Sequence, residues 1–145
     1  MNFRNAKRKD AKTLDRLLTL LIEDEKNYDN KVESVIVKDF YINYINDPSK
    51  YFYLCEDNNK VVAYIYSKKE NSNLKIDALY VLQDYRNKGI ASKLIDNVIS
   101  YAKENNFKTI SINVLEKNIK AKNLYCKYFK LYKKDGIKEE LRMEI

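Results

Sequence analysis

Only two glycines occur in the 145 residues, where average usage near 7 % would supply about ten. One of them, Gly89, stands in Gln83-Asp84-Tyr85-Arg86-Asn87-Lys88-Gly89-Ile90-Ala91-Ser92, between a run that reads as β-strand and a run that reads as helix. A helix N-terminus presents unpaired N–H groups and a partial positive charge. Phosphate settles there when no side chain blocks the approach. Gly89, Ala91 and Ser92 keep that approach open, Arg86 and Lys88 add positive charge, and Ser92 offers a hydroxyl. Spacing alone allows either a general anion cradle or a plain strand-to-helix turn. The dinucleotide pattern G-x-G-x-x-G and the P-loop GxxxxGK[ST] are both absent.

The chain has no histidine. A Ser-His-Asp triad, a Cys-His dyad and the commonest transition-metal ligand are therefore excluded, and acid–base chemistry falls to Asp, Glu, Tyr, Lys, Cys or water. Cys55 and Cys126 are isolated and suggest neither a disulfide framework nor a zinc motif, so no metal is expected. No apolar run approaches the roughly 20 residues that span a bilayer, and the first residues lack the apolar stretch of a secretory signal, so the reducing cytoplasm is the expected location. Lys, Asn, Ile and Tyr are abundant and Trp is absent, as in proteins encoded by AT-rich bacterial genomes. Between Lys103 and Lys134 lie nine lysines and two glutamates, an excess as large as the whole chain's +7. That segment is either a solvated lysine-rich face or an attractor for phosphorylated partners. Sequence-specific DNA binding is not expected, because no helix-turn-helix, zinc or basic-zipper pattern is present.

The elements that must position these groups follow from periodicity. Phe3 to Lys7 reads as a strand. Asp10 or Thr13 caps a helix whose Leu14, Leu17, Leu18, Leu21 and Ile22 form one apolar stripe. A polar stretch from Glu23 to Lys31 precedes a second helix, about Ser34 to Asn46, anchored by Phe40, Tyr41, Tyr44 and Ile45 and ended by Asp47-Pro48. Two strands, about Tyr51 to Glu56 and Val61 to Lys68, flank the hairpin signal Asp57-Asn58-Asn59-Lys60. The strand Leu74 to Leu82, a helix from about Gly89 to Asn105, the strand Thr109 to Leu115, a helix from Ile119 to Tyr128 and a hairpin through Asp135-Gly136 complete the chain. The order β-α-α-β-β-β-α-β-α-β-β specifies an α/β fold, a single mixed β-sheet flanked by helices, as one domain over residues 1–145.

Two segments resemble a known family. Ala78-Leu79-Tyr80-Val81-Leu82 followed by Arg86-Asn87-Lys88-Gly89-Ile90-Ala91 is similar to motif A of the GNAT acetyltransferases, Q/R-x-x-G-x-G/A after a strand. Asn118-Ile119-Lys120-Ala121-Lys122-Asn123-Leu124-Tyr125-Cys126-Lys127-Tyr128-Phe129 resembles the family's N-x-x-A-x-x-L-Y-x-x-x-G-F, with one residue fewer and Tyr128 where Gly usually stands. The resemblance implies acetyl-CoA as acetyl donor and an amine acceptor: a small amine such as a polyamine or aminoglycoside, an amino acid, or a protein amino group. It implies that the pantetheine arm pairs with main-chain groups near Leu79, Tyr80 and Val81. The pyrophosphate would lie on the amides of about Arg86 to Ala91, with Ser92 beside them. Asn118 would touch the cofactor or hold its loop. By the same resemblance Tyr125 protonates the leaving thiolate, although without the resemblance it reads as one more half-buried tyrosine of an amphipathic helix.

With no histidine, Asp77 is the leading candidate to take the amine's proton, since strand alternation puts Asp77, Leu79 and Val81 on one face. The alternative is an exposed aspartate at a strand start. Glu23, Asp24, Glu25 and Glu33 fall between the first two helices, which in this family wall the acceptor site. They either bind a cationic acceptor or are merely solvated. A main-chain N–H near Val81 would polarise the thioester carbonyl. Rival readings are a relative that binds acyl-CoA without turnover, as sensor or partner subunit, and a nucleic-acid module using the lysine-rich segment. Family members often pair as homodimers.

Overall fold

The computed structural model describes all of residues 1–145. Seven strands, β1 (Asn2–Asn5), β2 (Lys50–Asp57), β3 (Lys60–Glu70), β4 (Asn73–Val81), β5 (Thr109–Leu115), β6 (Lys130–Asp135) and β7 (Lys138–Glu144), form one sheet in the order β1-β2-β3-β4-β5-β7-β6. Only β4 and β5 run parallel; every other neighbouring pair is antiparallel. The helices are α1 (Ala11–Glu25), α2 (Ile90–Glu104) and α3 (Ile119–Tyr125). No helix is long and apolar enough to cross a membrane.

The sheet buries two apolar faces, as its strands' alternation requires. On one face Ala63, Ile65, Leu74, Ile76, Ile110 and Ile112 meet Ile90, Leu94, Ile95 and Val98 of α2. On the other, Leu54, Tyr64, Tyr66, Ala78 and Tyr80 meet Leu14 and Leu17 of α1. Each fully buried aliphatic side chain contributes on the order of 1.5–3 kcal/mol. The β2–β3 turn closes through Asn58 and Asn59, both left-handed at φ 51 and 64, the two-residue geometry that asparagine tolerates best after glycine.

Three sequence expectations need correction. The helix expected over Ser34 to Asn46 is absent: residues 32–38 have no regular structure, and only a 3-10 turn, Tyr41–Asn43, forms. The run Val35-Ile36-Val37 is β-branched and costs helix propensity, and Asp39 takes φ 53. Side chains of α1 take up the amides instead. Thr19 Oγ1 accepts from the Val37 N–H at 3.0 Å, and the Asp15 carboxylate accepts from the Phe40 and Tyr41 N–H groups at 3.4 and 3.0 Å. Phe40 and Tyr41 still serve as anchors, Tyr41 standing edge-on to Phe52 and Tyr64 with its hydroxyl 2.9 Å from that of Tyr64.

The second correction concerns α1, which runs on through Glu25, so Glu23, Asp24 and Glu25 belong to its last turn rather than to a connecting segment. The third concerns the helix expected from Ile119 to Tyr128. It stops at Tyr125, and Cys126 to Tyr128 form turns that end with the Phe129 N–H donating to the Tyr125 carbonyl at 2.8 Å.

Candidate active site

The site begins with one extra residue. In the β3–β4 ladder Tyr66 opposes Ala78 and Ser67 opposes Ile76, so Asp77 is bulged out of the register. A bulge bends its strand and disrupts local pairing. Pairing between β4 and β5 covers only Asn73–Ile76 against Thr109–Ile112 and ends at the same place. Beyond it β4 continues to Val81 and β5 to Leu115, and the two strands splay. The main-chain groups of Asp77 to Val81 that face β5 consequently have no partner strand there.

The bulge also overturns the expected alternation. Leu79 and Val81 pack toward the α2 face with Leu74 and Ile76, whereas Ala78 and Tyr80 pack toward α1. Asp77 lies on the α1 side. Burial raises the hydroxyl pKa values of Tyr41, Tyr64 and Tyr66, and the charge of Asp77 adds to that rise in all three. Asp77 therefore does not share a face with Leu79 and Val81. Its carboxylate is partly exposed and 3.8 Å from the Lys68 ammonium.

A cavity of about 220 Å³ fills the splay, lined among others by Leu21, Glu25, Asp77, Leu79, Asn118, Tyr125 and Lys138. Three lining residues, Asn118, Ala121 and Tyr125, come from α3 and its cap at helical spacing. Asn118 caps α3, its Oδ1 accepting from the Ala121 N–H at 3.2 Å, and Ala121 and Tyr125 follow on the same face and also line the cavity. Tyr125 is only 9 % exposed, and its hydroxyl has no hydrogen-bond partner within the chain. Burial pushes its pKa up to about 12, and the negative charge of Glu25 adds to the shift. The phenol is thus protonated throughout the neutral range.

Past the open end of the splay lies the Gly89 loop. Asn87 and Gly89 both take left-handed φ, 61 and 80, the alternation that turns successive amides inward into an anion-binding nest. The Arg86 N–H bonds back to Gln83, and the Lys93 N–H is the first of α2 to bond backward, to Gly89 at 3.2 Å. The six amides from Asn87 to Ser92 make no hydrogen bond within the chain. An added Cβ on Gly89 would meet nothing within 4 Å, so the space in front of it is open. The Arg86 guanidinium is already engaged, with the Val81 carbonyl at 2.9 Å, the Asp24 carboxylate at 3.0 Å and the Tyr80 ring beneath it. Lys88 sits over the Tyr85 ring. The structure therefore gathers Asp77, Leu79, Asn118 and Tyr125 round one cavity, sets Arg86 to Ser92 at its far end, and turns the Tyr80 side chain away into the α1 face.

The sequence model of the Acetyltransferase (GNAT) family matches residues 14–129. The chain belongs to this family. Over 91 residues it is 29 % identical to streptothricin acetyltransferase A of Bacillus subtilis (strain 168), a match covering 62 % of this chain and 53 % of that protein. The chain thus spans about half the length of that relative. PaiA N-acetyltransferase of Thermoplasma acidophilum, solved in complex with coenzyme A, superposes with a TM-score of 0.83 at 16 % identity over 99 % of this chain and 98 % of that one. A GNAT acetyltransferase of Staphylococcus aureus Mu50 gives 0.77 at 21 % identity, over 99 % and 98 %. A Bacillus anthracis str. Ames structure with acetyl-coenzyme A bound gives 0.69 at 24 % identity, over 78 % and 73 %. At these identities the structures speak for the GNAT fold.

Within that fold, sequence reasoning placed the four acids between α1 and the next segment without distinguishing them. The structure sorts them. Glu23 is held by Lys26 and Ser34, Asp24 by Arg86, and Glu33 is exposed. Glu25 faces the cavity, and its carboxylate has neither a hydrogen-bond nor an ion-pair partner. A signal for it was present: Glu25 follows Leu21 by four residues, so the apolar stripe of α1, extended by one turn, carries it inward.

Proposed function

We propose that this GNAT protein transfers the acetyl group of acetyl-CoA to a primary amine, of a small molecule or of a protein. The observation that carries the reading is the junction of two features: β4 and β5 part at the Asp77 bulge, and six unpartnered amides stand at the end of the gap. The residues present suit coenzyme A. The Asn87–Ser92 amides and the α2 dipole would hold its diphosphate, and the unpaired main-chain groups of Asp77 to Val81 would pair with its pantetheine amides. When bound, acetyl-CoA supplies an activated acyl group and a thiol leaving group.

The chain's own residues do the rest. Main-chain N–H groups near Val81 stabilise charge on the carbonyl oxygen. Tyr125, protonated and without a partner, donates its proton to the departing sulfur. A carboxylate of the cavity takes the proton of the incoming ammonium, and Asp77 and Glu25 both stand there. Asn118 holds the start of α3 and with it the height of Tyr125. Thiol release from acetyl-CoA, measured across polyamines, aminoglycosides, amino acids and peptide amines, tests the proposal. Amine-dependent release supports it. Tight acetyl-CoA binding with no release for any amine would instead assign the chain to acyl-CoA sensing.

A further inference from the structure

The cavity holds two carboxylates that differ in setting. Asp77 is bulged from β4, partly exposed, and within 3.8 Å of Lys68. Glu25 ends α1, is partly buried, has no partner, and lies on the same cavity as the unpartnered hydroxyl of Tyr125. The Glu25 carboxylate and the Tyr125 hydroxyl line one cavity without a partner in the chain, so both are free to meet a ligand there.

We infer that Glu25 is the base that takes the proton of the acceptor's ammonium, and that Asp77, the second carboxylate on the same cavity, acts through it. The inference rests on the transferase reading. Burial raises the Glu25 carboxyl above the ordinary glutamate value; Lys138 pulls it back, and the charges of Asp29 and Asp77 push it up again. The other titratable groups facing it across the cavity are Lys75 and Tyr125. A raised carboxyl is the better acceptor of an ammonium proton near neutrality.

The protons balance. Glu25 takes one proton from the ammonium, and the freed amine nitrogen forms the C–N bond as the C–S bond breaks. Tyr125 gives its proton to the sulfur and recovers one from the new amide nitrogen, and Glu25 releases its proton to water. The assignment also accounts for the electrostatics: the charge of Glu25 helps to keep Tyr125 protonated until Glu25 is neutralised.

Two readouts test it. In the ligand-free protein, carbon-13 NMR of the carboxyl groups, with Glu25 assigned by its loss in E25Q, should show Glu25 titrating above the other glutamates and moving to lower pH in D77N. In turnover with the best amine of the panel, E25Q should lose about 100-fold in kcat/KM and the acidic limb of the pH profile. D77N should keep that limb, displaced to lower pH, and E25D should recover part of the rate. A Glu25 that titrates as an ordinary glutamate and ignores D77N overturns the pair. Wild-type turnover with an unaltered E25Q overturns the assignment alone, whereas no turnover by the wild type with any amine overturns the transferase reading and the assignment together.

Discussion

The two ends of the cleft are built from different materials. At the Gly89 end the working groups are main-chain amides, held by the backbone angles of Asn87 and Gly89 and by the start of α2. At the Glu25 end they are side chains from α1, the β4 bulge and α3, brought together from positions about fifty residues apart. Amide positions follow from local sequence, so one short motif suffices to mark them. Side-chain constellations depend on helix length, bulge position and packing. Under the proposed function the first end would meet the donor and the second the acceptor.

Breaking the comparison starts with the shared chemistry. Tyr125→Phe should lower kcat by roughly 100- to 1000-fold while leaving the calorimetric affinity for coenzyme A nearly as in the wild type. Equal rates in the two proteins would remove Tyr125 from the mechanism. Gly89→Val attacks the amide end only. A β-branched residue at φ 80 costs about 1–2 kcal/mol, and the loop should relieve that strain by losing its nest. Coenzyme A affinity should then fall on the order of tenfold; unchanged affinity would count against the amide cradle.

Asp15→Ala leaves the side chains and amides of both ends in place and removes the tether of the segment that follows α1. It deprives the Phe40 and Tyr41 amides of their acceptor and should cost about 1 kcal/mol in denaturant unfolding, with coenzyme A affinity preserved. The smallest effect concerns the start of α1. Burial opposes ionisation of Asp10, yet the Arg4 guanidinium and the Lys7 amide outweigh it and hold the carboxyl below its usual range. A depressed folded-state pKa stabilises above the unfolded value and is lost as pH falls toward the folded one. The Tm difference between the wild type and Asp10→Asn should therefore be full above about pH 5 and narrow as the pH drops toward 3; a constant difference would show that the ion pair contributes no pH dependence.

Much of the architecture was legible because it rests on local patterns. The stripe from Leu14 to Ile22, the β-branched and aromatic run of β3 and the Asn58–Asn59 turn each mark their element. The segment from Ser34 to Asn46 misled because its aromatic spacing suits a helix, while its amides are satisfied by Asp15 and Thr19, some 18 to 26 residues away. No local pattern records such a partner. Asp77 was legible as a residue of interest, but not its face, because a bulge resets alternation without a sequence mark of its own.

By itself the sequence determined the family, the succession of the seven strands and the strand-to-helix loop at Gly89, because each depends on residues adjacent in the chain, on strand periodicity, and on the left-handed angle that glycine permits. The tertiary structure alone decided where β4 leaves β5, which of four neighbouring acids enters the cavity, and that Tyr125 lies there unpartnered beside it. Those facts depend on how far α1 extends and on which strand carries the extra residue, quantities set by packing across the whole sheet.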